Sequence, residues 1–161
     1  MREKNPRDKA KRPQIGLGVL VVRDKKILLS RRLKPYGFGK LALPGGHVEW
    51  METLIDTARR EVLEETGIRL GRIYNLYVYS EEVHPTLGKH YMTFYMIAKC
   101  PEGQEPKNME PKKHAPWRWY DPFNLPRNTW KPTKRLCGPE AKGGSGDLIR
   151  AFIDEELAFK E

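Results

Sequence analysis

Residues 46–68, GHVEWMETLIDTARREVLEETGI, constrain the fold more than any other part of the chain. Thr53 is suited to cap a helix, and Asp56, three residues on, is a partial capping-box match. Gly67 is a favoured residue just past a helix end. The spacing therefore predicts a helix running from about Thr53 to Thr66. At roughly 100° per residue, Leu54, Ala58 and Val62 form the centre of an apolar stripe. Glu61 and Glu65 fall on the edge of that stripe, within about 40° of each other, and Glu64 lies about one step further round.

A solvated charged face would lie opposite the stripe. Here the carboxylates border it, where they repel one another and lose hydration. A hard divalent cation answers both problems, because it takes oxygen ligands. Helix geometry alone leaves two readings open: carboxylates gathered on a small metal cluster, or an acidic helix paired with Arg59 and Arg60. The run Pro44, Gly45 and Gly46, at the end of a short strand over residues 41–43, bears on that choice. Glycines there bring bare backbone close to a ligand, and an exposed carbonyl would add an oxygen donor. Glu49 and Glu52 place further carboxylates on the connecting loop.

The rest of the chain reads as strands around this helix. Residues 15–23 are rich in Val and followed by Asp24, Lys25 and Lys26 as a turn, with a hairpin partner over 27–32. Residues 34–40 contain Pro35, Gly37 and Gly39 and read as a loop. Strands follow over 73–80 and 90–98, joined by a loop with Pro85 and Gly88. A polar, proline-bearing loop spans 102–116, then a short strand covers 117–120, on which Trp117 and Trp119 pack under the sheet. Residues 147–159 predict an amphipathic helix with Leu148, Ile149, Phe152, Ile153 and Leu157 inward.

With 161 residues the chain has the length of one ordinary domain, expected over 14–161. No apolar run approaches the roughly 18–20 residues that cross a bilayer. The two cysteines read as unpaired thiols of a reducing compartment. The formal charge of +9 is partly carried by residues 1–13, a basic segment without an apolar core. It is expected to be a disordered tail and not a secretion signal. Such a tail is either simply solvated or a contact for a polyanion such as RNA.

The sequence resembles the Nudix hydrolase family. Gly46, Glu52, Arg60, Glu61, Val62, Glu64, Glu65, Gly67 and Ile68 match the Nudix box, G-x5-E-x7-R-E-U-x-E-E-x-G-U, where U is a bulky aliphatic residue. The resemblance implies an α/β/α sandwich with a mixed, partly antiparallel sheet and a loop–helix–loop motif. It implies Mg2+, with Mn2+ as a substitute, held by Glu61 and Glu65, with Glu64 as a further or outer ligand and the Gly45 carbonyl as a backbone ligand. Arg60 would hold the glutamates in place, and Glu52 would orient Arg60 or the helix.

LPGGHVE at 43–49 and EPKNMEP at 105–111, followed by Trp117 and Trp119, are similar to the eukaryotic MutT-homologue branch. That branch hydrolyses nucleoside triphosphates, including oxidised dGTP, to the monophosphate and pyrophosphate, and some plant members act on a prenyl diphosphate. Glu110 then becomes a candidate extra metal carboxylate. Arg31, Arg32 and Lys34 are candidates for phosphate contact, Tyr36 and Phe38 for base stacking, and Gly46 for close approach of substrate. Family members usually carry Gly where this chain has Met51, a strained choice if the site needs a positive φ. Other readings are a sugar-nucleotide or prenyl diphosphatase, or a Nudix-fold scaffold subunit of an RNA–protein assembly. A homodimer, a cytoplasmic or nuclear location and the absence of membrane contact complete the expectations.

Overall fold

Val19, Leu20, Val21 and Val22 are all fully buried, which a strand achieves only when both of its faces are covered. They belong to β1 (Gln14–Arg23), the central strand of the computed structural model, which describes residues 11–138 and 145–154. In chain order there follow β2 (Lys26–Arg31), β3 (Leu41–Ala42), β4 (Gly45–His47), α1 (Leu54–Thr66), β5 (Ile73–His84), β6 (Lys89–Lys99), β7 (Arg118–Tyr120), α2 (Lys131–Cys137) and α3 (Ser145–Asp154).

One edge of β1 pairs antiparallel with β4 near its start and with β2 at its end. The other edge runs parallel to β6. β6 pairs antiparallel with β5, and β2 carries β3 and β7. The sheet is therefore mixed. Because side chains alternate along a strand, Leu17, Val19 and Val21 face α1 and pack with Ala58 and Val62. Leu20 and Val22 face the opposite layer and pack with Leu136 of α2 and Ile149 and Ile153 of α3. The result is an α/β/α sandwich. Each fully buried aliphatic side chain in it contributes roughly 1.5–3 kcal/mol.

The helix that matters starts and stops as its sequence dictates. Thr53 has extended backbone and its side chain accepts from the Asp56 N–H. Gly67 takes a left-handed φ of 73° and its N–H bonds the Leu63 carbonyl. The β1–β2 turn places Asp24 and Lys25 at φ 50° and 61°, the positive pair that lets a two-residue turn match strand twist.

Several elements differ from the sequence reading. Gly45 and Gly46, expected in a loop, form β4 and complete the sheet beside Gly16, Leu17 and Gly18 of β1. A Cβ on Gly45 would meet the Leu17 carbonyl oxygen at 2.0 Å, so the close pairing requires glycine. β5 continues past residue 80 to His84, bent by an irregularity between Asn75 and Tyr79. There Tyr77 has φ 53° and its N–H bonds the Asn75 side chain. α2 was not anticipated, since seven residues are too few to show a helical period. In α3, Ile149 and Ile153 are buried as expected, whereas Leu148 is 56% exposed on the other side of the helix. Leu157 and the rest of the expected helix lie outside the described residues, as do residues 1–10 of the expected tail. Trp117 is buried and Trp119 packs partly against the same core. Cys100 and Cys137 are buried free thiols. Among the described residues no helix is long and apolar enough to cross a membrane.

Candidate active site

The inner edge of α1 carries a graded series of carboxylates. Glu65 is buried, Glu61 is half-buried and the Glu64 side chain is 54% exposed. Arg60 binds them together. Its Nε and Nη2 donate to the two oxygens of Glu52 at 2.8 and 2.9 Å, and its Nη1 donates to Glu61 Oε1 at 2.8 Å. Nη1 also reaches Glu64 at 3.5 Å, and Nη2 donates to the His47 carbonyl at 3.0 Å. One guanidinium thus ties the box loop, β4 and the helix.

Glu52 is locked in turn. It accepts from the Thr57 hydroxyl at 2.8 Å and from the Glu49 N–H at 3.1 Å. Arg60 first, then these smaller bonds, pull its carboxyl down to about 2. Glu61 moves the other way: burial pushes its pKa up, Arg60 opposes this, and the neighbouring Glu65 and Glu64 charges add to the rise. Gly46 makes room for it, since a Cβ there would lie 2.2 Å from Glu61 Oε1. Met51, between β4 and α1, has φ 67° and is 86% exposed. The position does take the left-handed conformation, and a non-glycine residue is held in it.

Glu65 is held from two sides. The Gly45 N–H donates to its Oε2 at 3.0 Å, and His114 Nε2 lies 3.0 Å from its Oε1. The indole N–H of Trp117 donates to the Glu65 carbonyl. The long loop after β6 is strapped to the end of α1 by Lys107 N–H to Thr66 and Met109 N–H to Glu65. That strap brings Glu110 and His114 to the helix, so that ligand atoms of Glu65, Glu110 and His114 lie within 4.8 Å of one another. His114 is 5% exposed and its Nδ1 has no hydrogen-bond partner among the described residues. The donor set fits a hard divalent cation. It is rich in carboxylate oxygen and bordered by glycine backbone.

The clustered carboxylates of α1 and the loop after β6 open on one cavity of about 400 Å³, whose wall includes Glu61, Glu64, Glu65, Glu110, Lys113 and His114. A second group of wall residues comes from other segments: Arg32, Lys34, Tyr36, Glu82, Tyr91 and Trp130. The Tyr36 ring meets Trp130 edge-on at 5.3 Å and Tyr91 at 5.6 Å, and its hydroxyl bonds Glu82 at 3.0 Å. Burial and the Glu82 carboxylate raise the Tyr36 pKa, so the phenol stays protonated. His47 stacks on Tyr91, where burial and then Lys34, Lys89 and Arg32 lower its pKa.

Of the residues singled out in the sequence, the cavity gathers Gly45, Gly46, Glu61, Glu64, Glu65, Glu110, Arg32, Lys34 and Tyr36. Arg60 and Glu52 stand behind it as its brace. Arg31 is exposed on β2 and Phe38 is 65% exposed, and neither lines the cavity. A strand's alternation explains Arg31: its neighbour Arg32 turns inward, donating to the Tyr36 carbonyl and lying over the Trp130 ring. His114, Lys113, Glu82, Tyr91 and Trp130 escaped the sequence reading. Only the position of His114, four residues after Glu110, hinted at any of them.

The NUDIX domain pattern matches residues 12–138. The chain belongs to the Nudix family. A MutT NUDIX hydrolase from Burkholderia pseudomallei superposes with a TM-score of 0.71 at 32% identity, covering 77% of this chain and 95% of that one. An m7GpppN-mRNA hydrolase of Xenopus laevis is 33% identical over 116 residues, covering 61% of this chain and 39% of the relative. An oxidized purine nucleoside triphosphate hydrolase of Danio rerio is 38% identical over 58 residues, covering 36% of this chain and 37% of the relative. The matched segment thus spans less than two fifths of the length of each of these two curated relatives.

Proposed function

We propose that this Nudix chain hydrolyses the diphosphate bond of nucleoside triphosphates to the monophosphate and pyrophosphate, using Mg2+, for which Mn2+ substitutes. The observation that carries this reading is the shared cavity. Carboxylates that suit a divalent cation, the cationic Arg32 and Lys34, and the aromatic group around Tyr36 open on one space of about 400 Å³. That volume lies in the range of small-molecule sites. The nucleoside triphosphate hydrolase among the relatives supports the choice of substrate.

Glu61 and Glu65 would hold the cation, with Glu64, Glu110 and the Gly45 carbonyl as further oxygen donors. When bound, the cation neutralises phosphate charge and acidifies water. Arg60, fixed by Glu52, keeps the carboxylates in position. Arg32 and Lys34 meet phosphate oxygens, and Gly46 leaves backbone open to substrate. A water attacks one phosphorus of the α–β linkage, the bridging P–O bond breaks, and its electron pair leaves with the phosphate group on the other side of the bridge, giving monophosphate and pyrophosphate. The water proton passes to a cavity carboxylate.

The test is phosphate product analysis with Mg2+ across ordinary and oxidised purine nucleoside triphosphates, a sugar nucleotide, a prenyl diphosphate and an m7GpppN-capped RNA. Pyrophosphate and nucleoside monophosphate from a triphosphate are expected, and chelator abolishes turnover. Cleavage of another panel member with every triphosphate inert overturns the substrate reading. Full turnover in excess EDTA overturns the metal.

A further inference from the structure

Lys113 places a cation among carboxylates that a metal would claim. Its ammonium pairs with the Glu110 carboxylate. Its backbone N–H donates to the Glu110 carbonyl at 2.9 Å, so a turn of chain fixes the base of its stem. Glu110 raises the Lys113 pKa most strongly, with Coulombic help from Glu65 and Glu61. The ammonium therefore lies in the field of α1 as well as against its own partner. Its side chain is 44% exposed and lines the same cavity. It has both a place to sit and room to leave.

An ammonium and a divalent cation do not share a carboxylate oxygen comfortably. The metal needs the oxygen's lone pairs, and its two charges repel the ammonium at contact distance. A flexible four-carbon stem lets the ammonium move off without disturbing the loop. Once the metal holds Glu110, the strongest anion entering the cavity is the substrate's diphosphate.

We propose that Lys113 is a tethered counter-ion that occupies Glu110 in the metal-free protein and passes to the substrate's diphosphate when the divalent cation takes Glu110. The inference rests on Glu110 being a cation ligand, as in the function proposed above. It makes cation and diphosphate bind with positive coupling, and that coupling is reciprocal. Lys113 is then a positioning residue whose loss moves binding in opposite directions. The free protein gains affinity for the cation, while the loaded protein loses affinity for the diphosphate.

The experiment titrates Mn2+ into the full chain, followed by electron paramagnetic resonance, with and without methylenediphosphonate as an uncleavable diphosphate. Wild type, Lys113→Met, Lys113→Arg and Glu110→Gln are compared, with thermal melts confirming folding. Removing a half-exposed competing ion pair is expected to tighten Mn2+ binding roughly twofold to fivefold in Lys113→Met. The enhancement of Mn2+ affinity by methylenediphosphonate should shrink in Lys113→Met and return in Lys113→Arg. Wild-type affinity and wild-type coupling in Lys113→Met overturn the inference, even where Glu110→Gln weakens Mn2+ and so keeps Glu110 as a ligand. Unchanged Mn2+ affinity in Glu110→Gln overturns the ligand assignment itself, and the inference with it.

Discussion

The two groups of residues that share the cavity are built in opposite ways. Most of the carboxylate group rests on one helix and the loop before it, with Glu110 brought in by the loop after β6, and Arg60 ties Glu52, Glu61 and Glu64 within the single helical segment. The aromatic group is assembled from β5, β6, the loop after β2 and the start of α2, with Tyr36 touching Glu82 and His84 across 46 and 48 residues of sequence. A local, charged arrangement suits chemistry that every substrate shares. An arrangement of distant rings suits recognition, since each contributing loop varies without disturbing the others. Turnover should therefore depend on the first group and affinity on the second.

The largest effect tests the first half of that division. Glu61→Gln or Glu65→Gln should lower turnover by roughly 10²–10⁴, because the charge that holds the cation is gone while the shape remains. The metal-free melting point of Glu61→Gln should hold or rise, since burial and two neighbouring carboxylates already disfavour its charge. Normal turnover in both variants would break the comparison outright. A lower melting point with full activity would make the carboxylates structural.

Replacing Arg60 with Met should differ in kind, lowering both turnover and stability. It leaves Glu52 and Glu61 without their cation, at a cost of about 1–3 kcal/mol for partly buried partners. The same brace has a pH signature. The Glu52 carboxyl is held at about 2 in the fold, below its ordinary 4.5. The stability it contributes is complete above its unfolded pKa and is lost as pH falls through the folded one. Acid melts from pH 5 to 2 should show this loss in wild type, and the slope should flatten in Glu52→Gln.

Trp130→Ala sharpens the second half. It removes the ring beside Tyr36 and the partner of Arg32, and should raise KM about tenfold with kcat within about threefold, as loss of uniform binding predicts. A fall in kcat with KM unchanged would move Trp130 into the chemistry. The smallest effect is Met51→Gly. Relieving a left-handed methionine gains about 1 kcal/mol and extra chain entropy takes back a similar amount. The melting point should rise by a few degrees at most. A large change in activity would give the exposed Met51 a part in substrate binding.

Much of the carboxylate group was legible because helix periodicity is a local rule. Glu61 and Glu65 are four residues apart and share a face wherever the helix forms, and Thr53 and Gly67 mark its ends by their own conformational preferences. The left-handed backbone at Met51 was expected only on the family resemblance, which places Gly there, and the structure gives that position φ 67°. Leu148 shows the limit: its apolar character fits a buried stripe, but the sheet accepts only the face that carries Ile149 and Ile153. The short α2 lacked enough residues to show a period.

By itself the sequence determined α1, its caps, the graded carboxylates beside its apolar stripe and the hairpin leading to it, since neighbours in the chain decide each of these. Tertiary structure alone decided that Gly45 and Gly46 join the sheet, that Arg32 turns into the cavity while Arg31 turns out, and that His114 reaches Glu65 across 49 residues. The same folding set Lys113 among the carboxylates and gathered Tyr36, Tyr91 and Trp130. These placements depend on strand pairing and on a loop strapped to the end of α1, and contacts between distant segments have no fixed spacing from which they could be read.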